Sequence, residues 1–85
     1  MRMSNMTILA LQRRDGIDRS RIKALLKARG LTYANAAIAC GKSRIAMINK
    51  LYGLAAFTVE DIQCFYELLK LTSEEAAAIF FGNPA

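Results

Sequence analysis

Five polar caps, three of them followed a few turns later by a glycine, confine this chain to short helices. Asp18, Thr32, Ser43, Thr58 and Thr72 each stand directly before an apolar-periodic stretch, where a side-chain oxygen can take a backbone N–H that the first helical turn leaves unpaired. Gly30, Gly41 and Gly53 then offer the left-handed conformation that ends many helices. Between these signals Ile22, Leu25 and Leu26 recur at i, i+3, i+4. Arg19, Arg21, Lys23 and Lys27 are expected to stay solvated on the same helix. The second helix is alanine-rich, with Ala34, Ala36, Ala37 and Ala39. The third runs from Arg44 to Tyr52 with Met47 and Leu51 inward. Thr58 with Asp61, and Thr72 with Glu75, make capping-box pairs for the fourth and fifth. Ile62, Phe65, Leu68 and Leu69 form the buried stripe of the fourth helix, and Ile79 and Phe80 lie near the end of the fifth. The expected fold is all-α, a compact five-helix domain.

Eighty-five residues, 54% of them hydrophobic, suffice for one core. Residues 18–85 read as that domain, and residues 1–17 as an N-terminal arm or short extra helix. No apolar run approaches the roughly 20 residues needed to cross a bilayer, and the stretch Met6–Leu11 precedes Arg13 and Arg14, the reverse of a secretion signal. The chain therefore reads as soluble and cytoplasmic, with no membrane partner.

Charge is divided along the chain. Residues 1–53 carry every basic residue except Lys70 and only Asp15 and Asp18, whereas residues 54–85 set Lys70 against Glu60, Asp61, Glu67, Glu74 and Glu75. One half is thus suited to a polyanion, with nucleic acid as first candidate and an anionic membrane or an acidic protein as second.

Enzymatic chemistry finds little to work with. There is no histidine, and the seven carboxylates fall on helix starts and exposed faces. Cys40 and Cys64 lie in helical patterns with no Cys or His at ligand spacing, so neither metal nor cofactor is expected. The two cysteines read as small apolar residues in or near a reduced core.

The informative segment is residues 31–53, a helix-turn-helix. Two helices crossing steeply through a three- to four-residue turn accept only a small side chain at the crossing and favour glycine in the turn. Ala37 and Gly41 meet both needs, and Met47 supplies an apolar plug for the third helix.

With Gly30-Leu31-Thr32, Ala37, Gly41, Ser43-Arg44, Gly53, Phe57-Thr58 and the closing Ile79-Phe80-Phe81, the chain from Ser20 to Phe81 resembles the lambda-repressor-like, Cro and Xre type, helix-turn-helix family. Within that family it is most similar to short phage-type repressors of Gram-positive hosts. The resemblance implies a phage or mobile-element repressor that binds double-stranded DNA as a homodimer, with the third helix in the major groove and the second across the backbone. It implies base contacts from Arg44, Ile45 and Asn49. Arginine can pair with guanine O6 and N7, asparagine with adenine, and isoleucine can touch a thymine methyl. It implies backbone contacts from Thr32, Tyr33, Lys42, Ser43, Lys50 and Tyr52; Ile79, Phe80 and Phe81 read as either core or a dimer seam, and the resemblance to repressors that bind as dimers favours the seam.

A second reading stays open. The third helix carries Ile45 and Ile48 where many relatives carry polar side chains, and an apolar surface set among a few basic residues also suits a protein target. The alternative is a protein-binding module on the same scaffold, an antirepressor or an inhibitor of a host nucleic-acid enzyme.

Overall fold

The computed structural model describes residues 16–82, which form five helices and, among the described residues, no strand. They are α1 (Arg19–Ala28), α2 (Tyr33–Ala39), α3 (Arg44–Leu51), α4 (Val59–Leu68) and α5 (Ser73–Phe80). The domain is all-α with five helices, as the cap pattern requires. All five caps are made: Asp18 accepts from Arg21 N–H, Thr32 from Asn35, Ser43 from Ala46, Thr58 from Asp61 and Thr72 from Glu75. The boxes at Thr58 and Thr72 are reciprocal, and Thr32 with Asn35 makes a third.

The first four helices end in one hydrogen-bond pattern. After α2, Gly41 adopts φ +64°, Lys42 N–H donates to Ala37 O and Gly41 N–H to Ile38 O, the paired bonds that close a helix through one left-handed residue. α1 and α3 close the same way on Gly30 and Gly53. α4 does so on Lys70, at φ +51°, with Leu71 N–H on Tyr66 O and Lys70 N–H on Glu67 O. Any side chain with a Cβ is disfavoured there, and because the position holds lysine rather than glycine no stop signal was visible at that point of the sequence.

The core gathers Ile22 and Leu26 from α1, Met47 and Leu51 from α3, Phe65 from α4 with Leu69 and Leu71 after it, and Ala76, Ile79 and Phe80 from α5. Leu25, Ile62 and Leu68 pack half-buried around them. Phe57, on the segment between α3 and α4, stacks on Phe65 at 5.6 Å and tilts against Phe80 at 6.2 Å. α2 differs from the rest, because only Ala36 and Ala37 are fully hidden on it, with Tyr33 and Cys40 half-buried at its ends. An alanine methyl contributes on the order of 0.8 kcal/mol on burial, a leucine or isoleucine about 1.5–3, so α2 has the weakest apolar attachment.

Ile17, the last residue of the expected arm, is buried in the core, and the Asp18 N–H donates to Ile79 O at 2.8 Å; residues 1–15 of that arm lie outside the described residues. Three expectations are corrected here. Ile79 and Phe80 are core rather than dimer seam, because the first and fourth positions of α5's inward stripe fall on Ala76 and Ile79 with Phe80 beside them, leaving only Phe81 outside, 67% exposed. Arg19 is buried instead of solvated: its Nε donates to Lys50 O at 2.6 Å, its guanidinium reaches Ala55 O at 3.3 Å and lies 5.2 Å from the Phe57 ring centre. Cys40 and Cys64 form a disulfide, so they are not reduced apolar core residues. The pairing arises because the C-cap of α2 and the middle of α4 meet with Cα atoms 5.7 Å apart, a relation of two helices that spacing along the chain does not reveal.

Candidate nucleic-acid interface

The turn 40–43 aims α3 outward at its start. Ser43, Arg44 and Ile45 are exposed, and Ile45 is 72% accessible. The inward stripe of Met47, Lys50 and Leu51 leaves Ile45, Asn49 and Tyr52 on the opposite side at i, i+4, i+7. Asn49 is half-buried, and its carbonyl takes the N–H groups of Leu54 and Ala55. Arg44 and Tyr52 are separated by eight residues of helix, about 12 Å at 1.5 Å per residue.

Thr32 and Ser43 use their hydroxyl oxygens as caps, at 3.0 Å from Asn35 N and 3.1 Å from Ala46 N. A hydroxyl carries one donor besides its acceptor lone pairs, so both keep an O–H for an incoming anion. Tyr33, at the start of α2, meets Tyr52 edge to face at 6.3 Å. Burial, together with a hydrogen bond that the Tyr33 hydroxyl donates to Tyr52, raises that hydroxyl above its usual 10.0 and keeps it neutral. Lys42 is half-buried, with its backbone N–H spent on Ala37 O.

Lys50 departs from its expected role. Its ammonium does not face solvent: it donates to Ala56 O at 3.2 Å and to the Asp61 carboxylate of α4, with both side chains buried. Three residues after Met47, it falls on the inward side of α3, and the core accepts it only because Asp61 neutralises it. Burial by itself would raise the Asp61 carboxyl; hydrogen bonds from Lys50 and Thr58 outweigh that and hold it below its usual 3.8. Lys50 therefore contributes no phosphate contact, and with Arg19 it removes two charges from the positive surface.

In their place the fold supplies two lysines from α1. Lys23 and Lys27, one turn apart, line an open cleft of about 480 Å³ together with Leu31, Thr32 and Tyr33. The Lys23 ammonium lies 4.5 Å from the centre of the Tyr52 ring. Lys23, Lys27, Thr32, Tyr33 and Tyr52 thus converge from three helices. The i, i+4 spacing of the two lysines was visible in the sequence, but which way that side of α1 faces depends on how α1 packs against α3.

Ile38 and Leu54 are 79% and 78% exposed. On α4 and α5, Val59, Ile62, Tyr66, Ala77 and Phe81 line a shallow, largely apolar groove of about 330 Å³. Among the described residues no helix is long and apolar enough to cross a membrane, and no three His, Cys, Asp or Glu side chains are grouped as metal ligands. No family model, curated protein or solved structure matches the chain.

Proposed function

We propose that this protein is a sequence-specific DNA-binding regulator, a repressor of the phage or mobile-element type, acting in the cytoplasm as a homodimer. The observation that carries this reading is the pairing of an outward α3 start, Arg44 and Ile45, with the basic cleft of Lys23, Lys27, Thr32 and Tyr33 beside it. In this reading α3 enters the major groove, Arg44 and Asn49 pair with bases and Ile45 touches a methyl group. Thr32, Tyr33, Lys42, Ser43 and Tyr52, joined by Lys23 and Lys27, hold the phosphates that set register. Two copies pair through Phe81 and the apolar groove of α4 and α5.

Selection of bound sequences from a random DNA pool tests the function, repeated with Arg44→Ala and Asn49→Ala. An enriched motif that relaxes in the variants is expected, and absence of any enriched motif overturns the reading. Solution mass of the wild type and of Phe81→Glu tests the pairing; a wild-type monomer at high concentration removes it.

The exposed Ile38, Ile45 and Leu54 favour a second reading, a protein-binding module on the same scaffold. It predicts DNA binding without sequence preference and retention of one protein partner that Ile45→Asp abolishes.

A further inference from the structure

We infer that Cys40 and Cys64 form a redox-operated clamp on the unit made of α2, the turn and α3: closed as a disulfide it fixes α2 against α4, and opened to two thiols it frees the C-terminal end of α2 and the start of α3. The paired Cα atoms stand 5.7 Å apart, within the normal range for a disulfide. Both cysteines are half-buried rather than sealed in the core.

The bond matters more for α2 than for any other helix. α2 hides only Ala36 and Ala37, whereas each other helix hides at least one of Ile, Leu, Met or Phe. At its first residue Tyr33 leans on Tyr52; just past its last, Cys40 is the C-cap and carries the covalent link. Gly41, Lys42 and Ser43 alone separate Cys40 from Arg44, the first residue of α3. Release at Cys40 therefore lets α2 pivot about its Tyr33 end and draws on the turn that aims Arg44 and Ile45.

Closure takes two electrons from the thiols, and a low-molecular-weight disulfide such as oxidised glutathione accepts them. One cysteine thiolate attacks a sulfur of that disulfide, forming a mixed disulfide and releasing one glutathione thiolate. The second cysteine thiolate attacks the protein sulfur of the mixed disulfide, forming the Cys40–Cys64 bond and releasing the second. The two cysteine protons end on the two glutathione molecules. A dithiol reductant runs the same exchange in reverse.

Amide hydrogen exchange on the oxidised protein, and on the same protein in excess dithiothreitol, tests the clamp without reference to any DNA. Loss of the covalent link lowers protection in all helices, since it also frees the unfolded chain. The clamp predicts a further loss, at least tenfold, confined to α2 amides such as Ala36 and Cys40 when set against those of α1 and α5. Oxidised glutathione restores it, and Cys64→Ala matches the reduced protein in both buffers. One common factor in every helix, unchanged α2 amides, or cysteines that stay free thiols in excess oxidised glutathione would each overturn the proposal. The comparison of reduced with oxidised wild type needs no substitution and decides the matter if Cys64→Ala does not fold.

Discussion

Lys50 of α3 sets its ammonium on the Asp61 carboxylate of α4, two buried charges that join the candidate recognition helix to the acidic half of the chain. The same carboxylate oxygen accepts the Thr58 N–H at 2.9 Å, so one Asp61 side chain both caps α4 and neutralises the core lysine. Removing one partner leaves the other charged in the interior. Lys50→Ala should therefore cost about 3–5 kcal/mol, read as a fall in the urea midpoint. Lys50→Met combined with Asp61→Leu should recover most of that loss, because an apolar pair of similar volume needs no neutralisation.

Asp61 also sets an acid limit. Its carboxyl is lower in the folded chain than its usual 3.8, despite burial, because Lys50 and Thr58 bond the charged form. A lowered folded value adds stability above the unfolded value and loses it as pH falls through the folded one. Glu75 is lowered in the same direction, chiefly by the Thr72 N–H. Melting temperature should thus hold near neutrality and fall as pH drops below about 4, and Asp61→Asn should start lower and flatten the curve.

Arg19 ties the start of α1 to the segment after α3 through Lys50 O and Ala55 O. In Arg19→Ala the Ala55 carbonyl loses this bond and Lys50 O keeps only its backbone donors at the end of α3, such as the Gly53 N–H, which should cost about 1–3 kcal/mol in thermal or chemical denaturation. Arg19→Lys should not restore it, since an ammonium cannot span two carbonyls and the Phe57 face in a planar fork.

Lys70 occupies the left-handed position that glycine fills after α1, α2 and α3. Lys70→Gly removes the Cβ strain at some cost in unfolded-chain entropy, and should stabilise the domain by roughly 0.5–1 kcal/mol. A decrease in the denaturation midpoint would show that the Lys70 side chain outweighs its backbone strain.

If the cleft lysines hold phosphates, Lys23→Ala and Lys27→Ala should each weaken DNA binding equally across sequences and lower the slope of log affinity against log salt by about 1. Lys50→Met, assayed where it remains folded, should leave that slope unchanged, because its ammonium is already paired with Asp61. Fluorescence anisotropy across a salt series separates the two classes.

Local chemistry was enough to place the helices. A cap hydroxyl, a carboxylate three residues on and a glycine after the last turn act within one or two turns of backbone, so Asp18, Thr32, Ser43, Thr58 and Thr72 marked every helix start before any packing was known. The inward pair Met47 and Leu51 followed from the helical period for the same reason. The exposed start of α3, with Arg44 and Ile45, was legible from the turn that precedes it. Partnership between helices was not. Whether Lys50 met a phosphate or Asp61, whether Arg19 met water or the carbonyls after α3, and whether Cys40 stayed a thiol or bonded Cys64 depended on which helix faces came together. Charge and hydropathy along the chain are blind to that relation, because a lysine, an arginine or a cysteine takes its role from the group opposite it. Tertiary packing alone supplied those groups, burying Arg19 and Lys50 and setting Lys23 and Lys27 along one cleft.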